Sequence, residues 1–194
     1  MADGCTLLIL AGGRSRRMGR DKAALPAGNG TLIEHLVHRL SPVVDETIVA
    51  GGTTTPPLDG VRQIGDRYPG MGPLAGMQAG LLQAHHPLVW VVACDLPDVE
   101  PGLGALLRGL ATGVEAVVPR LGTEPEGLCA VYDRSLAGGI ERMLQAGERR
   151  VQDLLARADV RYVDAAELRR IDPELRSFRN INTPADYEAW LTMR

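Results

Sequence analysis

The sequence predicts an α/β fold of three layers, and three observations carry that prediction. Two apolar runs, Cys5 to Leu10 and Leu88 to Ala93, show no polar alternation and so read as strands covered on both faces. Each runs straight into polar or glycine-rich chemistry, the first at Gly12-Gly13 and the second at Cys94-Asp95. Around them, five or more short strand segments alternate with helical ones, the pattern of a sheet sandwiched between helices. A chain of 194 residues is read as one domain, able to bury about 70% of its unfolded surface.

Taken in order, Cys5 to Leu10 is the first strand. Thr31 is placed as the N-cap of a helix over 32–40, where Leu32, Leu36 and Leu40 fall at helical spacing. Thr47 to Ala50 forms a short strand, 51–57 reads as loop, and Val61 to Ile64 is a weak strand leading to Asp66. A helix follows from about Leu74 to Ala84. Gly76 and Gly80 within it permit close backbone approach, either to a ligand or to the sheet. After the strand Leu88 to Ala93, Asp98 is read as a cap for the helix over 101–111 that opens on Pro101. Strands over 115–119 and Gly127 to Tyr132 precede a helix over 135–146. Gly147 ends it, and a further helix runs to Arg157. Val160 to Val163 is a strand, and Thr183-Pro184 starts the last helix.

Net charge is −3 and hydrophobic residues make up 45%, an ordinary globular balance. In a mildly acidic chain whose clustered basic charge is local rather than spread over a face, and with few aromatic rings, nucleic acid is not expected as a partner. No apolar run has membrane length, and no basic segment precedes a long apolar one at the N-terminus, so a membrane partner is not expected. Cys5, Cys94 and Cys129 have no paired spacing and lie in apolar surroundings, which suits a reducing compartment; a cytoplasmic location is expected. The four histidines offer no zinc spacing and are left as helix-surface residues.

The chemistry concentrates after the first strand. Arg14, Arg16, Arg17, Arg20 and Lys22 follow Gly12-Gly13 within a few residues, with Asp21 the only anion among them. Glycine turns that expose backbone N–H groups beside clustered cations suit a polyphosphate. The spacing is neither a Walker A loop, because Arg20-Asp21 follows Gly19, nor a G-x-G-x-x-G fingerprint. Lys22 is the only lysine among 21 basic residues, a compact point charge in a chain that otherwise uses arginine. Asp95 stands just past the end of a central strand, where open α/β sheets bind ligands, and is the candidate ligand for Mg²⁺. Asn180 and Asn182 share one side if 178–182 is extended; turn chemistry before a helix is the other reading.

Leu10-Ala11-Gly12-Gly13, with Arg17-Met18-Gly19 and Asp21-Lys22 behind it, resembles the signature loop of the molybdenum cofactor guanylyltransferases, the molybdopterin-guanine dinucleotide biosynthesis protein A family. Gly72 to Gly76, Leu144 to Val151 and the Asn180-x-Asn182-Thr-Pro segment look like the same family, so the resemblance runs from residue 5 to about 190. It implies a Rossmann-like nucleotidyltransferase fold with a mostly parallel central sheet. The nucleotide-binding half would be about 1–100 and the acceptor-binding half about 101–194. The implied reaction moves GMP from GTP to the phosphate of molybdopterin, releasing pyrophosphate. In that reaction Lys22, Arg17 and Asp95 are the catalytic residues and Asp95 holds Mg²⁺. Leu10, Ala11, Gly12, Gly13, Lys22, Asp66, Gly72 and Asp95 bind the nucleotide, and Asn180 and Asn182 the acceptor. The acceptor phosphate is already ionised, so no general base is required. A cytidylyl branch, a different phosphorylated acceptor, or a GTP-binding module without turnover are the alternatives. Transient contact with other cofactor-biosynthesis proteins or acceptor molybdoenzymes is also implied.

Overall fold

The computed structural model describes residues 4–11, 22–51, 57–65 and 67–193. Among them one eight-stranded sheet forms the middle layer. Its strands are β1 (Cys5–Leu10), β4 (Glu46–Ala50), β5 (Arg62–Ile64), β6 (Leu88–Ala93), β7 (Ala116–Leu121), β8 (Glu124–Pro125), β9 (Cys129–Asp133) and β10 (Val160–Asp164). They lie in the order β10-β7-β9-β6-β1-β4-β5, with β8 hairpinned onto β7. A separate two-stranded ribbon joins β2 (Pro26–Ala27) to β3 (Gly30–Thr31). The helices are α1 (Leu32–Leu40), α2 (Pro73–Gln83), α3 (Pro101–Gly109), α4 (Ala137–Gln145), α5 (Val151–Leu155), α6 (Ala165–Leu168) and α7 (Pro184–Thr192).

The unalternating apolar runs are central strands, as their composition requires. β1 pairs in parallel with β4 on one side and β6 on the other, and all six of its residues are buried. Its side chains divide between two cores. Leu7 and Ile9 face the layer that takes Ile33 and Leu36 of α1 and Leu103 and Leu107 of α3. Leu8 and Leu10 face Leu74, Met77 and Leu81 of α2, and that core continues to Ile140 of α4 and Leu154 of α5. Burying both faces is what makes a parallel strand read as continuous hydrophobe. The sheet is mostly parallel; β9, between β6 and β7, is antiparallel to both. That reversal places the ends of β6 and β9 so that Ala93 N–H reaches the Leu128 carbonyl at 2.9 Å.

The glycines of α2 have a packing reason. A Cβ on Gly80 would come within 2.2 Å of Leu8, and one on Gly76 within 3.1 Å of Leu10. The helix sits that close to β1, so the sheet-contact reading accounts for both. Asp98 does not cap α3. The residue before Pro101, Glu100, occupies the cap without a side-chain bond, and Asp98 instead accepts from Trp190 Nε1 at 2.9 Å. His35 also departs from the surface reading: its Nε2 pairs with the Pro97 carbonyl at 3.0 Å, and its ring meets Trp190 edge-on. These contacts dock α7 against a third cluster of Leu25, Ala27, Leu32, Ile181 and Trp190. All three cysteines are free and buried, and burial raises the Cys5 thiol to about 11. Among the described residues no helix is long and apolar enough to cross a membrane.

Candidate active site

The site lies beyond the C-terminal ends of β1 and β6, the place where a parallel sheet leaves a crevice. Two backbone bonds fasten the exits of the strands there. Ala11 N–H donates to the Ala50 carbonyl at 2.9 Å, and Cys94 N–H donates to the Leu10 carbonyl at 3.1 Å. Leu10 and Ala11 are buried, so their side chains belong to the core and only their backbone can face a ligand. Gly12, Gly13, Arg17 and Asp66 lie outside the described residues.

Lys22 opens a short 3-10 turn over Lys22–Ala24 and turns its ammonium back over the sheet. Its Nζ donates to Asp95 Oδ2 at 3.0 Å and to Asn182 Oδ1 at 2.9 Å. The Lys22 side chain is 14% exposed and that of Asp95 24%, so the pair sits at the floor of the crevice and in contact with water. Asn182 is delivered by the segment before α7. Ile181 N–H donates to the Asp95 carbonyl at 2.9 Å, and the Ile181 side chain is buried. Its neighbours on either side, Asn180 and Asn182, are exposed, as alternation along an extended segment demands. Asn180 lines the cleft described below, while Asn182 holds Lys22. A capping box fixes the segment from behind: Asp186 accepts from the Asn182 and Thr183 N–H groups, and Thr183 Oγ1 accepts from Asp186 N–H. Those bonds hold the Asp186 carboxyl below its ordinary value, the Asn182 N–H foremost.

Gly72 caps the start of α2 at φ 77° and ψ −165°, a conformation that belongs to glycine, and a Cβ there would meet nothing within 4 Å. Its side is open, in contrast to Gly76 and Gly80.

A cleft of about 390 Å³ opens beside Asp95. Pro73, Leu128, Val151 and Leu155 give it apolar walls, and Asn180, Glu126, Arg149 and Arg150 bring polar groups. The two arginines arrive there because Gly147, at φ 82°, ends α4 and turns the chain. In that turn, Gly147 N–H donates to the Leu144 carbonyl and Glu148 N–H to the Met143 carbonyl. Composition alone allowed these residues to be a solvated face. What the sequence offered was the match over Leu144 to Val151; the placement beside Asp95 follows from the antiparallel β9.

Among the described residues no group of three or more His, Cys, Asp or Glu converges as a metal cage. The donor set still fits a hard divalent cation that takes most of its ligands from phosphates and water. Asp95 is engaged through Oδ2, and among the described residues no hydrogen bond occupies Oδ1.

The chain is similar to known proteins along most of its length. Residues 7–163 match the MobA-like NTP transferase domain. The probable molybdenum cofactor guanylyltransferase of Pelotomaculum thermopropionicum is 38% identical over 182 residues, covering 93% of this chain and 89% of the relative. The molybdenum cofactor guanylyltransferase of Desulfosudis oleivorans is 34% identical over 192 residues, covering 96% and 94%. The crystal structure of molybdopterin-guanine dinucleotide biosynthesis protein A from Archaeoglobus fulgidus superposes with a TM-score of 0.85 at 31% identity, over 97% of each chain. In fold alone, 2-C-methyl-D-erythritol 4-phosphate cytidylyltransferase from Thermus thermophilus is also similar, with a TM-score of 0.69 at 20% identity over 96% and 98%. A family model matched over residues 7–163, relatives at 34–38% identity over nearly the whole chain and a closely superposing fold lead to one assignment: the chain belongs to the MobA-like NTP transferase family.

Proposed function

We propose that this protein transfers GMP from GTP to the phosphate of molybdopterin, releasing pyrophosphate and forming the guanine dinucleotide form of the molybdenum cofactor. The observation that carries the site assignment is Lys22 Nζ held between Asp95 and Asn182 beside a cleft lined by two arginines. In the reaction an oxygen of the acceptor phosphate forms a bond to the α-phosphorus of GTP, and the bond from that phosphorus to the β-phosphate oxygen breaks. The attacking oxygen is already anionic, so the protein's task is positioning and charge neutralisation.

Lys22 supplies a single point charge to a phosphate oxygen, Arg17 a second cation from the same loop. Gly12, Gly13 and Gly72 let the backbone approach the nucleotide, with Leu10 and Ala11 fastened at the end of β1 ahead of the two glycines and Asp66 on the nucleotide side. Asp95 would hold Mg²⁺, which when bound offsets charge on the phosphates. Without nucleotide the ammonium and the carboxylate neutralise each other; with it, each gains a ligand of opposite sign. Asn180 faces the acceptor in the cleft, and Asn182 keeps Lys22 aimed. The same reading takes about 1–100 as the nucleotide half and about 101–194 as the acceptor half, and includes a cytoplasmic setting and brief contact with proteins that supply or receive the cofactor.

Pyrophosphate release with Mg²⁺ and molybdopterin, comparing GTP with CTP, tests the reading. Release with GTP alone is expected. Release with CTP instead would move the protein to cytidylyl transfer, and silence with both despite GTP binding would overturn the reaction. Full turnover by an Asp95→Ala protein would remove the metal assignment.

A further inference from the structure

Glu126 joins the cleft without a task in the reaction above. It follows β8 at the turn into β9. Its backbone is pinned twice: Glu126 N–H donates to the Pro119 carbonyl at 2.8 Å, and its own carbonyl accepts from Cys129 N–H at 3.0 Å. The side chain is partly buried and lines the cleft with Asn180, Arg149 and Arg150. Among the described residues no hydrogen bond or ion pair engages its carboxylate. Burial, with the charge of Glu124 behind it, raises its carboxyl above the ordinary 4.5. A carboxylate withdrawn from water without donors is unfavourable where it stands, and a ligand that brings donors would relieve it.

The shape of the cleft limits what that ligand can be. Its volume of about 390 Å³ and its apolar walls from Pro73, Leu128 and Val151 suit a flat heterocycle. A carboxylate presents two acceptor oxygens side by side, so its complement is a pair of parallel N–H donors. An amino group next to a ring N–H, the edge of a 2-amino-4-oxopyrimidine, has that form. Guanine and pterin share this edge. Apart from Pro73 and the turn over 93–96, the cleft is walled by 125–128, α5 with the two arginines before it, and Asn180, all within the proposed acceptor half.

We propose that Glu126 is a specificity-determining residue for the acceptor, its carboxylate accepting paired hydrogen bonds from the amino group and adjacent ring N–H of a pterin seated in this cleft. Arg149 and Arg150 border the same cleft and meet the phosphate end of that acceptor. The inference rests on molybdopterin being the acceptor, and deepens that reading by naming how its ring is recognised.

The test uses the whole protein and two probes, pterin and lumazine, whose 2-oxo group replaces the 2-amino group. Fluorescence titration of the wild type should show pterin bound about tenfold more tightly than lumazine, the worth of a charge-assisted pair set against an oxygen facing a carboxylate. Glu126→Gln, which keeps size and removes one acceptor, should abolish the preference while leaving GTP affinity unchanged. In turnover it should raise KM for molybdopterin by a similar factor with kcat preserved. Equal affinity of the wild type for the two probes, including binding of neither, overturns the proposal. A preference that survives in Glu126→Gln overturns it too, as does a loss confined to GTP, which would make Glu126 a guanine contact. If the pterin preference depends on Glu126 but no pyrophosphate is released with GTP, the reaction fails and the recognition stands.

Discussion

Lys22 shows how much one side chain can settle. In a chain that uses arginine at every other basic position, its ammonium fits between Asp95 and Asn182, each within 3.0 Å. A guanidinium is planar and broader, and it offers its donors as a fork rather than a point. Lys22→Ala should therefore lower kcat about 10²–10³-fold, and Lys22→Arg should recover little of it despite keeping the charge, measured as pyrophosphate release with GTP. Gln78 tests the opposite case, a polar group with no use. Its amide oxygen and nitrogen are both buried without a partner among the described residues, in α2 where every neighbour is apolar or glycine save Gln83. Gln78→Met should raise the unfolding free energy by about 1–2 kcal/mol in urea, since it removes an unsatisfied amide at similar volume. Lys22 and Asp95 stood out in the sequence, one as the only lysine and the other as a carboxylate just past a central strand, and the structure brings the two together at 3.0 Å. Glu126 did not stand out, because a glutamate in a turn reads as solvated until the cleft around it exists.

At the scale of elements, the capping box of α7 links local stability to the site. Thr183→Ala should cost about 1 kcal/mol of stability, as N-cap losses do, and should weaken turnover by loosening Asn182. The Asp186 carboxyl is held below its ordinary 3.8 in the folded protein. Its contribution is therefore complete above that value and is lost as pH falls through the lower folded value. Melting temperature measured below about pH 4 should fall less steeply for Asp186→Asn than for the wild type. Thr183-Pro184 announced this helix correctly, and the strands β1 and β6 appear as their composition required. The β2–β3 ribbon and the short α6 were not foreseen: two-residue strands and a one-turn helix leave no period to detect. Asp98 misled for a physical reason. Its position before Pro101 suited a cap, but an indole N–H arriving from Trp190, 92 residues away, took the carboxylate.

Across the whole molecule, alternation of strands and helices was enough for the layers, yet not for the direction of β9, which decides where Arg149 and Arg150 stand. Direction is set by how the chain returns to the sheet, and pattern within a strand does not record it. Binding should be visible in global stability. GTP with Mg²⁺ at 100 times its Kd should stabilise the fold by about 2.7 kcal/mol, and CTP at the same concentration by less, measured as shifts in the thermal transition.

The contact between Lys22 and Asn182 spans 160 residues, and the Tyr187 hydroxyl reaches the Pro26 carbonyl from a still later point. A ribosome adding about 5–20 residues each second needs many seconds to cover that distance. Throughout that interval the sheet can gather while Lys22 waits for its second partner. The order of synthesis thus leaves the Lys22–Asp95 pair without its third member until the segment that begins at Asn180 has emerged, and a stalled chain ending earlier would hold its lysine by the aspartate alone.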